Sequence, residues 1–285
     1  MEKGLFFYFK MEYIARNLSN EIRKKYKLIE KLHTQDLRDN ESKRKYLLSC
    51  EKNKKKAIET ISQINSFKIE NPCLQSPFSV PKNTKRRLIK EGIENIKDSF
   101  KWGKQNFDIY QFDESFIRNL AGRITPELYN EDIGKYREGI QGTTIKGASV
   151  TPPYPAKLID LEIPRFVKVM KRRLISKDLI EKINTAIYSH LHIARMHPFV
   201  DGNGRTARIF QDIILDHNHI PLPIIEPGER NIYYEFLDKA IVDWKHKKSN
   251  SETTLGSTEG EHLFHTFIAG KINVSLDKIL DCFSI

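Results

Sequence analysis

Two apolar helical repeats separated by a short glycine-rich break constrain this chain most. After Ser176, which can cap a helix, Leu179, Ile183, Ile187, Leu191 and Ala194 recur at three- and four-residue steps through Met196. Asp201-Gly202-Asn203-Gly204 then breaks the periodicity, and a second helix from about Arg205 turns Ile209, Ile213 and Ile214 inward. The spacing predicts two helices joined by a turn that opens directly onto a helix N-terminus. Pro221, Pro223 and Pro227 force a loop, and a further helix is predicted from about Glu229 to Trp244.

Upstream, Ile14, Leu18, Ile22, Tyr26 and Ile29 make one stripe over Met11–His33, and Leu47, Cys50, Ala57, Ile61 and Ile64 make another. These predict a helical hairpin with its turn near Asp39-Asn40. Asn71-Pro72, Ser76-Pro77 and Val80-Pro81 mark residues 71–83 as a linker. Helical patterning resumes over Thr84–Trp102 and Glu114–Leu120. Between Gly134 and Pro155, three glycines punctuate a Thr/Val/Ile stretch, which predicts a short β-hairpin with Ile145 and Val150 in its strands. The polar run Ser249–Glu261 reads as a mobile loop. Apart from the hairpin, the layout is all-α.

Of 285 residues, 39% are hydrophobic and 30% charged, which fits a globular core with a solvated extension. The net charge is +11, and residues 1–100 hold 23 Lys+Arg against 13 Asp+Glu, so nearly all of the excess lies there. Such a basic segment can attract nucleic acid, although the interleaved acids also suit a plain solvated helix face. Three cysteines without a CxxC pair exclude a disulfide scaffold and a cysteine-rich zinc module, and point to a reducing, cytoplasmic setting. No run reaches the ~18 apolar residues of a membrane helix. The N-terminus lacks the features of a cleaved secretory signal, and export by a route without one stays open.

The chemistry concentrates in His197-Pro-Phe-Val-Asp-Gly-Asn-Gly-Arg-Thr-Ala-Arg208. Gly202 and Gly204 let the backbone approach a ligand, and the helix that follows aims its free N–H groups at the same spot, which makes an anion nest. Arg205 and Arg208, three apart on the opening turn, project over that nest as planar forks for phosphate oxygens. Asp201 would repel phosphate unless a divalent cation lay between, so Mg2+ is implied. His197 at the other lip can take a proton near neutral pH. Together these describe nucleotide or phosphate transfer. A zinc site built from His190, His192, His197, His217 and His219 is disfavoured, because His190 and His192 diverge on a helix and no acid or cysteine completes a spacing.

His197–Arg208 resembles the signature of the Fic (Fido) family, HPFx[DE]GNGRxxR, with every defining position filled. Gly134-Lys135-Tyr136-Arg137 with Thr151-Pro152-Pro153 is similar to the family's GKYR–flap–PP region. Ile224-Ile225, Arg230 and Tyr233-Tyr234 are similar to its post-motif loop and helix. Two departures are a longer stretch between Arg137 and the flap, and Ile241 where some members carry Asn. The resemblance implies an all-α Fic-type helical bundle with a small β-hairpin flap, here with a basic helical N-terminal extension. It divides the chain into a basic extension (1–70), a linker and helix (71–109), the core (110–245) and a C-terminal tail (246–285).

The implied activity is transfer of AMP from ATP to a Ser, Thr or Tyr hydroxyl of a target protein. His197 would be the base, Phe199 the loop's anchor, and Asp201 the Mg2+ ligand. Gly202, Asn203, Gly204, Arg205 and Arg208 would hold phosphates, with Tyr233 and Tyr234 near the nucleoside. Ile145, Lys146, Gly147 and Val150 would form the flap that pairs with the target. Another donor such as a UMP-type nucleotide, removal of AMP, or a nucleotide-sensing scaffold that binds nucleic acid are the alternatives; the intact His197 favours an enzyme.

Many members of the family are held off by a helix bearing [S/T]xxxE[G/N], whose Glu pairs with the second motif arginine, here Arg208. Glu91-Gly92 and Glu94-Asn95 have Arg87 and Lys90 four residues before them, and Glu259-Gly260 has Leu255. None of these is a clean copy, so the expectation is either a degenerate inhibitory helix over 84–97, with Glu94 or Glu91 as its acid, or control that lies elsewhere.

Overall fold

A computed structural model describes residues 12–35, 41–71, 82–128, 134–138, 148–248 and 256–283. In chain order the helices are α1 (Arg16–Gln35), α2 (Glu41–Glu70), α3 (Lys82–Asn106) and α4 (Glu114–Ile124). A short α5 (Pro155–Lys157) runs through a π turn, Leu158–Glu162, into α6 (Ile163–Leu174). Then follow α7 (Leu179–Met196), α8 (Asn203–His217), α9 (Arg230–Lys247) and α10 (Glu259–Leu280). The described residues contain no strand, and no helix among them is long and apolar enough to cross a membrane. Ile145, Lys146 and Gly147 of the expected flap lie outside the described residues. Its last residue, Val150, is half-buried against the core.

The α7–α8 hairpin is the centre of the molecule. Asp178, rather than Ser176, caps α7: its carboxylate accepts from the amides of Ile180 and Glu181 at 2.9 and 3.0 Å. A carboxylate at this position also suits the positive end of the helix dipole. Every residue of α8 from Thr206 to Leu215 is buried, so this helix is covered on all sides. Ile209, Ile213 and Ile214 point inward as their spacing predicts. Phe107, Phe112 and Phe116 gather around Phe210 with ring centroids 5.4–6.0 Å from it, tying α3 and α4 to α8.

The N-terminal helices are not a separate extension. Ile22 and Ile29 of α1 and Ile58, Phe67 and Ile69 of α2 belong to the same hydrophobic core as the α7–α8 hairpin. The Lys52–Lys56 run lies on the exposed side of α2. The stripe expected for α2 is also rotated from the real one. Ala57 and Ile61 are exposed, and the buried side in the helix's second half carries Ser62, Asn65 and Ser66. A template that counts only apolar residues cannot find a face that is buried for its polar groups.

The C-terminal segment is likewise core rather than tail. Phe264, Ile268, Ile272, Leu276 and Ile279 of α10 are all buried. Thr258 and Glu261 form a capping box at its start, so the polar run read as a loop ends in a helix signal. The α9–α10 contact is close at Gly260, where a Cβ would lie 2.4 Å from the carbonyl oxygen of Lys239. Backbone cannot yield there as a flexible side chain would. Gly260→Ala should cost about 1–3 kcal/mol in denaturant unfolding; an unchanged midpoint would contradict this packing.

Candidate active site

α7 ends at His197, which adopts a left-handed conformation with φ 47° and ψ 57° while its amide still donates to the Ile193 carbonyl at 3.0 Å. This conformation is uncommon for a residue with a side chain. It is held from outside the turn. The Arg137 guanidinium donates to the carbonyl oxygens of His197 at 2.7 Å and Met196 at 3.3 Å, and to that of Pro153. Tyr136 stacks on Phe199, centroids 5.7 Å apart, and Phe199 is fully buried as the loop's anchor. The GKYR segment therefore clamps the turn, and the stretch before α5 is tied to it through Pro153.

Asn203 closes the turn from within. Its side-chain oxygen accepts from the Phe199 amide and its side-chain nitrogen donates to the Phe199 carbonyl, both at 2.8 Å. It braces the loop, and both polar atoms of its side chain are spent on the Phe199 backbone. Gly202 sits at φ 77°, where a Cβ would crowd Thr125 at 3.0 Å. As the N-cap of α8 it offers no side chain, so the amides of the first turn lack the usual capping partner. Asp201 is exposed at the lip, and Arg205 bonds to it at 2.8 Å. The Nε of Arg205 is buried without a partner among the described residues, a donor left for a ligand.

Arg208 is buried and surrounded. Its Nε donates to Ser66 Oγ at 2.9 Å, and one terminal nitrogen donates to the Ser66 carbonyl at 3.1 Å and to Glu70 Oε1 at 2.8 Å. The other terminal nitrogen donates to the Tyr233 hydroxyl at 3.1 Å. Burial alone would raise the Glu70 pKa, but Arg208, helped by Arg205 and by the Tyr234 hydroxyl donating at 3.3 Å, holds it below the usual range. A Cβ on Gly204 would lie 2.1 Å from Glu70 Oε1. The Glu70 carboxylate thus fills the space over the open turn.

Glu91 and Glu94 do not reach this place. Both are on α3, largely exposed, and among the described residues they make the long i,i+4 pairs Arg87–Glu91 at 3.8 Å and Lys90–Glu94 at 3.9 Å. The sequence reading sets the acid one helix too far along. Ser66-Phe67-Lys68-Ile69-Glu70-Asn71 fills every position of the [S/T]xxxE[G/N] pattern and stands just before the proline-rich stretch. Tyr233 also differs from expectation. It is fully buried against His190 and Phe264 and cannot line a nucleoside pocket, whereas its neighbour Tyr234 is half-buried and lines an open groove with Arg230 and Asp238. Successive helix positions diverge by about 100°, so the pair cannot share one surface.

His197 is half-buried. Burial is the main cause of its lowered pKa, Arg137 adds to it, and a backbone hydrogen bond partly opposes it. The imidazole is therefore neutral at physiological pH and able to accept a proton.

Residues 111–215 match the Fic/DOC family model. A stretch of 126 residues is 34% identical to protein adenylyltransferase Fic of Nematostella vectensis, covering 44% of this chain and 27% of that protein. Another of 89 residues is 36% identical to the protein of the same name from Drosophila persimilis, covering 31% of this chain and 17% of that one. The matches thus span about a quarter or less of these curated relatives' length. The fold is similar to that of a Fic domain-containing signaling protein from Bacteroides thetaiotaomicron, with a TM-score of 0.64 at 18% identity over 93% of this chain and 97% of that chain. It is also similar to Fic-1 from C. elegans, with a TM-score of 0.60 at 15% identity over 94% and 74%.

The two hydrogen bonds of Asn203 are buried and charge-free. Asn203→Ala should lower stability by about 1–3 kcal/mol by leaving Phe199 backbone groups unpaired. Chemical denaturation reads this directly, and a smaller loss would show that the turn holds without its brace.

Proposed function

We propose that this chain transfers AMP from ATP to a hydroxyl of a target protein, with release of pyrophosphate. The observation that carries the reading is the uncapped first turn of α8, set between a neutral imidazole and two arginines within the residues that match the Fic/DOC family model. The similarity to proteins named adenylyltransferase supports the nucleotide and the transfer.

His197 accepts the proton of the attacking hydroxyl. The amides at Asn203, Gly204 and Arg205 receive negative charge as it develops on the α-phosphate, because they already point into that space and need no reorganisation. Arg205 and Arg208 bind the outer phosphates and stabilise the leaving pyrophosphate. Asp201 fits a magnesium ion: its carboxylate is exposed at the lip of the turn. No cluster of three or more acidic, His or Cys side chains exists among the described residues, so phosphates and water would complete the coordination. That ion would neutralise phosphate charge. Residues Ile145–Val150 act as a flap along which an extended target segment pairs by β-augmentation. Glu70 holds the resting protein inactive, because it takes from Arg208 the contacts an outer phosphate needs.

Incubation with Mg2+, lysate and ATP labelled at the α-phosphate tests this. Label should enter protein weakly in wild type, and Glu70→Gly should raise it about tenfold or more, the worth of one hydrogen bond to a charged group. His197→Ala in that background should reduce it by about a hundredfold or more. Label from the γ-phosphate, or none from ATP in Glu70→Gly, would overturn the reading.

The pH profile is a separate check. The lowered pKa keeps His197 unprotonated further into acid. The acid limb of the Glu70→Gly rate should therefore fall below the ordinary histidine value of about 6.5. A limb at or above that value would remove His197 as the base.

A further inference from the structure

Arg208 is held from two sides that differ in kind. Among the described residues, its partners Ser66 Oγ, the Ser66 carbonyl and Glu70 all come from α2, the helix that carries the blocking carboxylate. Its remaining hydrogen-bond partner is the hydroxyl of Tyr233 on α9. Release of Glu70 removes the ion pair, and any shift of α2 loosens the Ser66 contacts as well. The Tyr233 contact depends on neither.

Tyr233 is itself fixed by a buried chain. Its hydroxyl lies 2.8 Å from His190 Nε2, and His190 Nδ1 lies 2.8 Å from Gln211 Oε1. Gln211 Nε2 donates to Asp212 Oδ1 at 3.3 Å, and Ser62 Oγ donates to Asp212 Oδ2 at 2.9 Å. With the Gln211 amide oxygen on His190 Nδ1 and its nitrogen on Asp212, one donor order satisfies every group. A guanidinium only donates, so the Tyr233 oxygen accepts from Arg208 and spends its own proton on His190 Nε2. The ring proton of His190 then sits on Nδ1 and goes to Gln211, whose amide nitrogen is left to donate to Asp212. Only a neutral His190 satisfies this order. Burial, aided by the nearby Arg208, pushes its pKa down to about 3, so the order persists at physiological pH.

We infer that Tyr233 is a positioning residue that keeps Arg208 aimed at the outer phosphates of the nucleotide after Glu70 has left it, with His190 orienting the Tyr233 hydroxyl. The inference rests on the nucleotide-transfer reading for the identity of the ligand. It removes Tyr233 from the nucleoside pocket and gives its hydroxyl a task that its neighbour Tyr234 cannot share.

The test uses the full chain in a Glu70→Gly background, with Tyr233→Phe as the main variant. Phe keeps the ring that packs on Phe264 and removes only the hydroxyl, which accepts from Arg208 and donates to His190. Calorimetry should show ATP binding weakened about tenfold while AMP, which lacks the outer phosphates, changes by less than about twofold. In the transfer assay KM for ATP should rise by more than kcat falls. His190→Leu, which removes the acceptor that orients the hydroxyl, should give a smaller loss of the same selectivity, and serves if Tyr233→Phe does not fold. Equal weakening of ATP and AMP would make the role merely structural, and no weakening of either would also overturn the inference. Absence of transfer in every variant would count against the proposed activity, whereas the binding comparison would still decide the role of Tyr233.

Discussion

A helix whose first-turn amides have no partner is electrostatically unfinished, and α8 begins in that condition. Gly202 contributes no capping side chain, so the positive end of the dipole faces the space over the turn that the Glu70 carboxylate fills. Much of the surrounding structure serves to keep that end open and fixed. Arg137 grips the carbonyls before the turn, Asn203 ties the turn to itself, and Phe199 sinks its middle into the core. These contacts spend backbone acceptors and side-chain groups on rigidity and leave the amides free. A turn that closed its own amides would be more stable and would have no affinity for an anion.

The second organising feature is the polar face of α2. Ser62 reaches Asp212, Asn65 reaches Glu226 at 3.0 Å, Ser66 and Glu70 reach Arg208, and Arg230 reaches back to the Ile69 carbonyl at 2.8 Å. These contacts lie along one side of the last three turns. Such a face gains less from leaving water than an apolar one, since each hydrogen bond exchanges for one to solvent. Those polar contacts can exchange for water at smaller cost than apolar ones, while Phe67 and Ile69 keep the same turns anchored in the core.

The same chemistry decides what could be read in the sequence. The α7–turn–α8 unit was legible because its information is local: a glycine, Gly202, where φ is positive, arginines one turn apart, apolar residues at helical spacing. The clamp by Arg137 belongs to a segment that the sequence marks, although its three carbonyl targets could come only from the fold. α2 was half legible. Its helical character is plain, but hydrophobic periodicity chose Ala57 and Ile61, while the face that matters carries serine, asparagine and glutamate. Ser66 and Glu70 stand in full view as a pattern just before the prolines, on a helix read for its apolar residues. α10 was hidden by the polar residues ahead of it, although Phe264, Ile268, Ile272 and Leu276 have a clear period. Tyr233 and Tyr234 show the limit of adjacency: next to each other in the chain, they face a buried network and an open groove.

Gly204 has one further consequence. The vacancy left by its missing side chain admits an oxyanion, and both a carboxylate and a phosphate are oxyanions that accept hydrogen bonds. No residue at that position could exclude the first and still admit the second. Discrimination between the silent and the working protein is therefore written elsewhere, in how firmly α2 is seated. The signature loop can stay invariant in shape while the threshold for activity is tuned from the other end of the chain, by substitutions at Ser62, Asn65 and their neighbours that touch no nucleotide.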